Sequence, residues 1–105
     1  ITKEEIFSEG EWQQLQPLSA WYLNYTNENF LSWIWKFKTE RRLIVINYSN
    51  VLSQCRIKFD VTGLGEMINL KDIFNDKEYL RATEEIITQG LYVELHPFHF
   101  HIFTF

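Results

Sequence analysis

Three histidines near the end of the chain, in HPFHFHIFTF, are the residues whose types and spacing most suggest chemistry: His96, His99 and His101. Imidazole ligates zinc and moves protons near neutral pH. On an extended strand, His99 and His101 fall on one face, because side chains alternate with a period of two. A metal held by such a pair needs a third or fourth ligand and outer hydrogen bonds to orient the rings. The same face continues into Phe103 and Phe105, and the spacing implies no carboxylate partner. The expectation is therefore a closing strand, with the histidines on its outer face and Phe98, Phe100 and Ile102 as its core row. No metal and no other cofactor is expected.

Other reactive types carry less. Cys55 is the single cysteine, so an intrachain disulfide and a cysteine-rich zinc site are both excluded. No histidine or basic cluster near it would favour a thiolate. Its alternation with Ile57 and Phe59 makes it a small buried hydrophobe. Gly63-Leu64-Gly65 is too short for a phosphate-binding fingerprint and leads into no helix. Aromatics remain. Trp12, Trp21, Tyr22 and Tyr25 lie in the least patterned part of the chain. They are the candidates for stacking on a sugar or sealing an interface, the latter being preferred.

The elements that must position these residues are mostly strands. Gln54–Asp60 alternates cleanly, Cys55, Ile57 and Phe59 against Arg56, Lys58 and Asp60. In Leu31–Lys38 the residues Leu31, Trp33, Trp35 and Phe37 share one face, which predicts them as core. Arg42–Ser49 is apolar on both faces and reads as a central strand; Thr39-Glu40-Arg41 joins it to its predecessor as a hairpin. Met67–Phe74 and Lys77–Leu80 flank a turn at Asn75-Asp76. Leu91–Leu95 points Tyr92 and Glu94 outward, His96-Pro97 breaks the ladder, and Phe98–Phe105 is the last strand. Glu11–Leu15 fits a short strand. Thr83–Gln89 is open between a short helix and a strand, and Lys3–Ser8 fits the last turns of a helix ended by Gly10. About eight short strands with close turns predict an all-β protein, an antiparallel two-sheet sandwich. Its expected buried residues are Leu31, Trp33, Trp35, Val45, Ile57, Phe59, Val93 and Phe100.

The 105 residues fit a single domain, with the first ten read as the end of a preceding helix. Hydrophobic residues make up 46% and aromatics 17%, which argues for a packed core and against disorder. A net charge of −4 with no run of one sign argues against a nucleic-acid partner. No apolar run is long enough to span a bilayer, and no membrane partner is expected. The compartment stays open; the lone cysteine and the lack of a signal-peptide pattern weigh towards the cytoplasm. A start at Ile1 instead of Met suggests a piece of a longer protein or a processed end.

Four landmarks stand in order along the chain: EGEWQQL (Glu9–Leu15), RRLIVINYS (Arg41–Ser49), LKDIFNDKEY (Leu70–Tyr79) and GLYVELHPFHFHIF (Gly90–Phe103). Together they resemble the C-terminal β-sandwich domain of the α-amylase family of glycoside hydrolases. Each motif alone is weak, and their order and spacing carry the resemblance. Asn75-Asp76 stands where Thr-Gly is usual, and His96 where the first of two prolines is common; Pro17–Asn29 matches no landmark. The resemblance implies a domain that follows a catalytic (β/α)8 barrel in the same polypeptide, stabilises it and covers its apolar surface, in an enzyme acting on α-glucans. It brings no catalytic residue, since the family's catalytic groups sit on the barrel. Glycoside hydrolysis needs two carboxyl groups about 5–10 Å apart across a cleft. Glu84 and Glu85 are adjacent, as are Glu4 and Glu5, and Glu9 and Glu11 have no cleft implied around them. This chain alone is therefore expected to be no enzyme. The alternative is a carbohydrate-binding β-sandwich that takes an α-glucan on its exposed aromatics. Self-association of the domain through Trp12, Trp21 and Tyr22, with Phe103 and Phe105 contributing, is the further expectation.

Overall fold

The computed structural model describes residues 11–105; the expected helical end at Lys3–Ser8 and the carboxylates Glu4, Glu5 and Glu9 lie outside the described residues. Nine strands are present among the described residues: β1 (Glu11–Leu15), β2 (Leu18–Ser19), β3 (Phe30–Phe37), β4 (Glu40–Asn47), β5 (Ser53–Ile57), β6 (Met67–Asp72), β7 (Lys77–Ala82), β8 (Leu91–Leu95) and β9 (Phe100–Thr104). They form a six-stranded sheet in the order β1-β3-β4-β9-β6-β7 and a three-stranded sheet in the order β2-β5-β8, with every pairing antiparallel. The inner rows of both sheets meet in one core. Leu43, Val45, Leu70 and Phe103 come from the larger sheet, and Ile57 and Val93 from the smaller. The protein is thus the all-β sandwich that the alternating pattern predicts.

The ambiguous segment is a short helix, α1 (Thr83–Thr88), crossing from the edge of one sheet to the edge of the other. Glu84 and Glu85 lie in its first turn, where the helix dipole favours negative charge, and Ile86 is fully buried in the core. Gly90 ends the crossing at φ +91, a left-handed conformation. Its amide, like that of Gln89, donates to the Glu85 carbonyl. A Cβ at Gly90 would lie 3.0 Å from the Ile57 backbone nitrogen, a tight contact that adds to the conformational demand for glycine.

β4 is central, as its two apolar rows predict. Leu43 and Val45 face the core, and Ile44 and Ile46 lie on the outer face opposite Trp33 and Leu31. The hairpin before it turns on Lys38-Thr39, since Phe37 already pairs with Glu40.

Two strands present the opposite face from the one predicted. In β3 the inward row is Phe30, Ser32 and Ile34. Leu31 is exposed and Trp33 half-buried, both on the outer face; Trp35 is buried, but on that same outer row and apart from the core cluster. In the last strand, Phe103 is in the core and His101 lies on its row, whereas Phe100 is 40% exposed and not buried. Both inner rows contain a polar residue that a simple reading sends to the surface. Ser32 is fully buried, with its Oγ donating to the Ile44 carbonyl at 2.9 Å. His101 is paired with a buried carboxylate. Once such groups are hydrogen-bonded, burial is cheap. The expected buried residues Val45, Ile57, Phe59 and Val93 are buried, as is Cys55, whose thiol pKa is pushed up to about 12 by burial.

Candidate functional site

The four aromatic candidates are exposed, but they belong to two places. Trp12 sits on β1 directly opposite Trp35 and lines a shallow apolar groove of about 410 Å3 with Trp33, Ile44 and Ile46, on the outer face of the larger sheet. Trp21, Tyr22 and Tyr25 lie in the loop between β2 and a short 3-10 turn, Thr26–Asn29, and are 53%, 88% and 64% exposed. That loop is fastened to the smaller sheet. The Asn24 amide donates to Gln54 Oε1, and Thr26 Oγ1 accepts from the Gln54 amide at 2.9 Å. No ring contact joins Trp12 to the loop aromatics among the described residues. Phe103 and Phe105 add nothing to either place: Phe103 is buried, and Phe105 packs edge-on against Phe59 at 5.3 Å.

The outer face of the larger sheet is apolar across its central strands. Leu31 pairs with Ile46, which pairs in turn with Phe100; Trp33 pairs with Ile44, which pairs with Ile102. A sheet face in contact only with water normally carries polar residues in that row.

The histidines do not act as one set. β9 starts only at Phe100, so His99 is outside the strand and the expected shared face with His101 is lost. His99 stacks edge-on with His96, ring centroids 5.6 Å apart, across a turn closed by the His99 amide donating to the His96 carbonyl at 3.1 Å. Pro97 and Phe98 are its central residues. Phe98 has φ +58, a position that a type II turn normally gives to glycine. No group of three or more histidine, cysteine, aspartate or glutamate side chains suited to a metal occurs among the described residues.

His101 is held differently. Its Nδ1 lies 2.5 Å from Asp72 Oδ2, and the Asp72 side chain is fully buried while the imidazole is 15% exposed. Asp72 also accepts from the Asn75 amide side chain at 2.6 Å and from the backbone amides of Phe74 and Asn75. Burial by itself would raise the Asp72 carboxyl pKa. The bonds from Asn75 and His101, and then the two backbone amides, outweigh it and hold the group below the usual carboxylate range. This is why an aspartate heads the β6–β7 hairpin: it closes the turn and fixes the ring of His101. In the sequence Asp72 stands shortly before the expected turn at Asn75-Asp76. The pairing was hidden because 29 residues separate the partners.

A second buried polar group organises the end of β4. Asn47, fully buried at the end of β4, presents its side-chain amide to the carbonyls of Val51, Leu95 and His96 at 2.8, 2.9 and 3.2 Å. Its Oδ1 accepts from Ser49 Oγ at 2.7 Å, and its backbone amide donates to the His99 carbonyl. The Asn-Tyr-Ser stretch is therefore a clamp that ties two loops together, including the turn that carries Phe98.

No protein-family model matches the chain, and no curated protein matches it.

Proposed function

We propose that this chain is the non-catalytic C-terminal accessory domain of an α-amylase-like glycoside hydrolase acting on α-glucans, and that it stabilises and covers the catalytic (β/α)8 barrel of the same polypeptide. The observation that carries this reading is the apolar outer face of the six-stranded sheet. Leu31 and Phe100 are 38% and 40% exposed there, and Trp12, Trp33, Ile44 and Ile46 form a groove beside them. Covering such a face contributes about 25 cal/mol per Å2 of apolar area removed from water, so a partner domain seated on it is stabilised along with the sandwich. The family landmarks support the same reading. Asn47, Asp72 and Gly90, one from each of three landmarks, each perform a defined task in the fold.

Reading the gene upstream of Ile1 tests the proposal directly. A segment of about 250 residues with alternating strand and helix patterns is expected, the usual size of such a barrel. An unrelated domain there would overturn the reading. In the longer protein, Leu31→Lys with Ile46→Glu is expected to lower the unfolding temperature of the barrel more than that of the sandwich.

A sugar-binding role for the loop aromatics has one observation in its favour, the high exposure of Trp21, Tyr22 and Tyr25. The maltohexaose titration set out below tests it through Tyr22→Ala.

A further inference from the structure

β7 and β8 are edge strands of different sheets, and no ladder joins them. Where they face each other the sandwich stays open as a seam. Two adjoining cavities lie along it, of about 440 and 170 Å3, sharing Tyr79, Glu94 and His101. The larger is a size typical of ligand sites. Together they follow β7 from Lys77 to Arg81, about 13 Å of extended chain.

The chemistry of this groove is mixed in a definite way. Aromatic surface comes from Tyr79, Phe98, and the edge-to-face pair of Phe74 and Phe100, whose centroids are 5.0 Å apart. Polar groups stand between the rings: Asn75, Lys77 and Glu94, with His96, His99 and His101. Lys77 and Arg81 stand against Glu94 and the buried carboxylate of Asp72, so no strong field of either sign selects an ion. Flat rings that can stack on C–H faces, alternating with donors and acceptors, suit a neutral polyhydroxylated chain.

Two buried side chains hold the groove in shape. Asp72 engages Nδ1 of His101, which leaves Nε2 as the atom available to a ligand. Asn47 fixes the turn that carries Phe98 at the groove mouth. Phe98 itself occupies a left-handed position that glycine would fill with less strain. The ring packs edge-on against Tyr48 at 6.0 Å and otherwise stands 61% exposed at the groove mouth, so a single partial contact is set against the backbone strain.

We propose that the seam between β7 and β8 is a binding groove for a neutral oligosaccharide, stacked on Phe98 and hydrogen-bonded by His101 and Glu94, with Tyr79, its ring already covered by the Arg81 guanidinium at 5.5 Å, forming the wall. The groove shares Phe100 with the face assigned to the barrel, and the accessory-domain reading is tested separately by the upstream gene sequence.

The experiment is a titration of the 15N-labelled chain with maltohexaose, with cellohexaose as a second probe. Saturable binding of at least one is expected, with shifts centred on Tyr79, Glu94, His99 and His101. Phe98→Gly is the decisive variant. It is expected to weaken binding at least tenfold while the melting temperature is unchanged or higher, because the turn is relieved as the ring is lost. Tyr22→Ala, on a loop that lines neither cavity, is expected to leave the affinity within twofold. Three results would overturn the proposal: no binding of either sugar, binding that survives Phe98→Gly, or shifts that map to Trp21 and Tyr22.

Discussion

Asn47 and Asp72 are polar residues in an apolar interior, and each is kept there by a full set of partners. Removing the Asn47 side chain takes away the donor that reaches the Leu95 carbonyl in the buried interior. Asn47→Ala is expected to lower stability by about 2–3 kcal/mol, in line with the loss of buried hydrogen-bond partners, as read by urea unfolding. Asn47→Asp should be worse at neutral pH, since it turns a carboxylate towards carbonyl oxygens. Asp72 makes a pH prediction. Its folded pKa is depressed, so its contribution is present above the unfolded value and lost as pH falls through the folded one. The stability gap between the wild type and Asp72→Asn should therefore be full at neutral pH and should narrow below about pH 4, near the unfolded carboxylate pKa. A gap that stays constant down to pH 2 would show that the charge of Asp72 is not what stabilises the hairpin.

At the scale of elements, the connection from α1 to β8 depends on one residue. Gly90 combines φ +91 with a backbone approach that leaves little room for a Cβ. Gly90→Ala is expected to destabilise by more than about 1 kcal/mol from the backbone conformation alone, with the contact against Ile57 adding to it; thermal unfolding checks this. The strands show how far local pattern reaches. Alternation placed β4, β5, β6 and β8 close to their observed positions, because a period of two is a property of the extended chain itself. It also put Leu31, Trp33 and Trp35 on one face of β3. It did not say that this face is the outer one. Phe30 and Ile34 on the other row are equally apolar, and Ser32 between them looks like a surface residue until its bond to Ile44 is seen.

For the molecule as a whole, the consequence is an unequal sandwich whose larger sheet is apolar on its inner face and across the central strands of its outer face. The isolated chain should associate with itself through the outer face at high concentration, since exposed patches of this kind favour contact. Leu31→Lys with Ile46→Glu places opposite charges on a cross-strand pair there. Sedimentation velocity is expected to show reduced association with an unchanged melting temperature. Association that persists unaltered in the double variant would move the contact elsewhere. No release of reducing sugar from starch is expected of the 105-residue chain, because glycoside hydrolysis needs two carboxyl groups across a cleft. Turnover that survives purification and disappears on mutating a single aspartate or glutamate would contradict this.

Composition, alternation and turn residues by themselves determined that the chain is an antiparallel β-sandwich, that Cys55 is a core residue and that a hairpin turns at Asn75-Asp76. All of these depend on neighbours close in sequence, or on side-chain type alone. Tertiary structure decided which face of β3 and β9 meets the core, that His101 is bound to Asp72 while His99 leaves the strand, and that β7 and β8 frame an open groove. Each of these depends on partners far apart in the chain. A one-residue choice of face exchanges the inner and outer rows of a strand. When both rows are apolar, only the packing of the second sheet and the hydrogen bonds that satisfy Ser32 and His101 settle that choice.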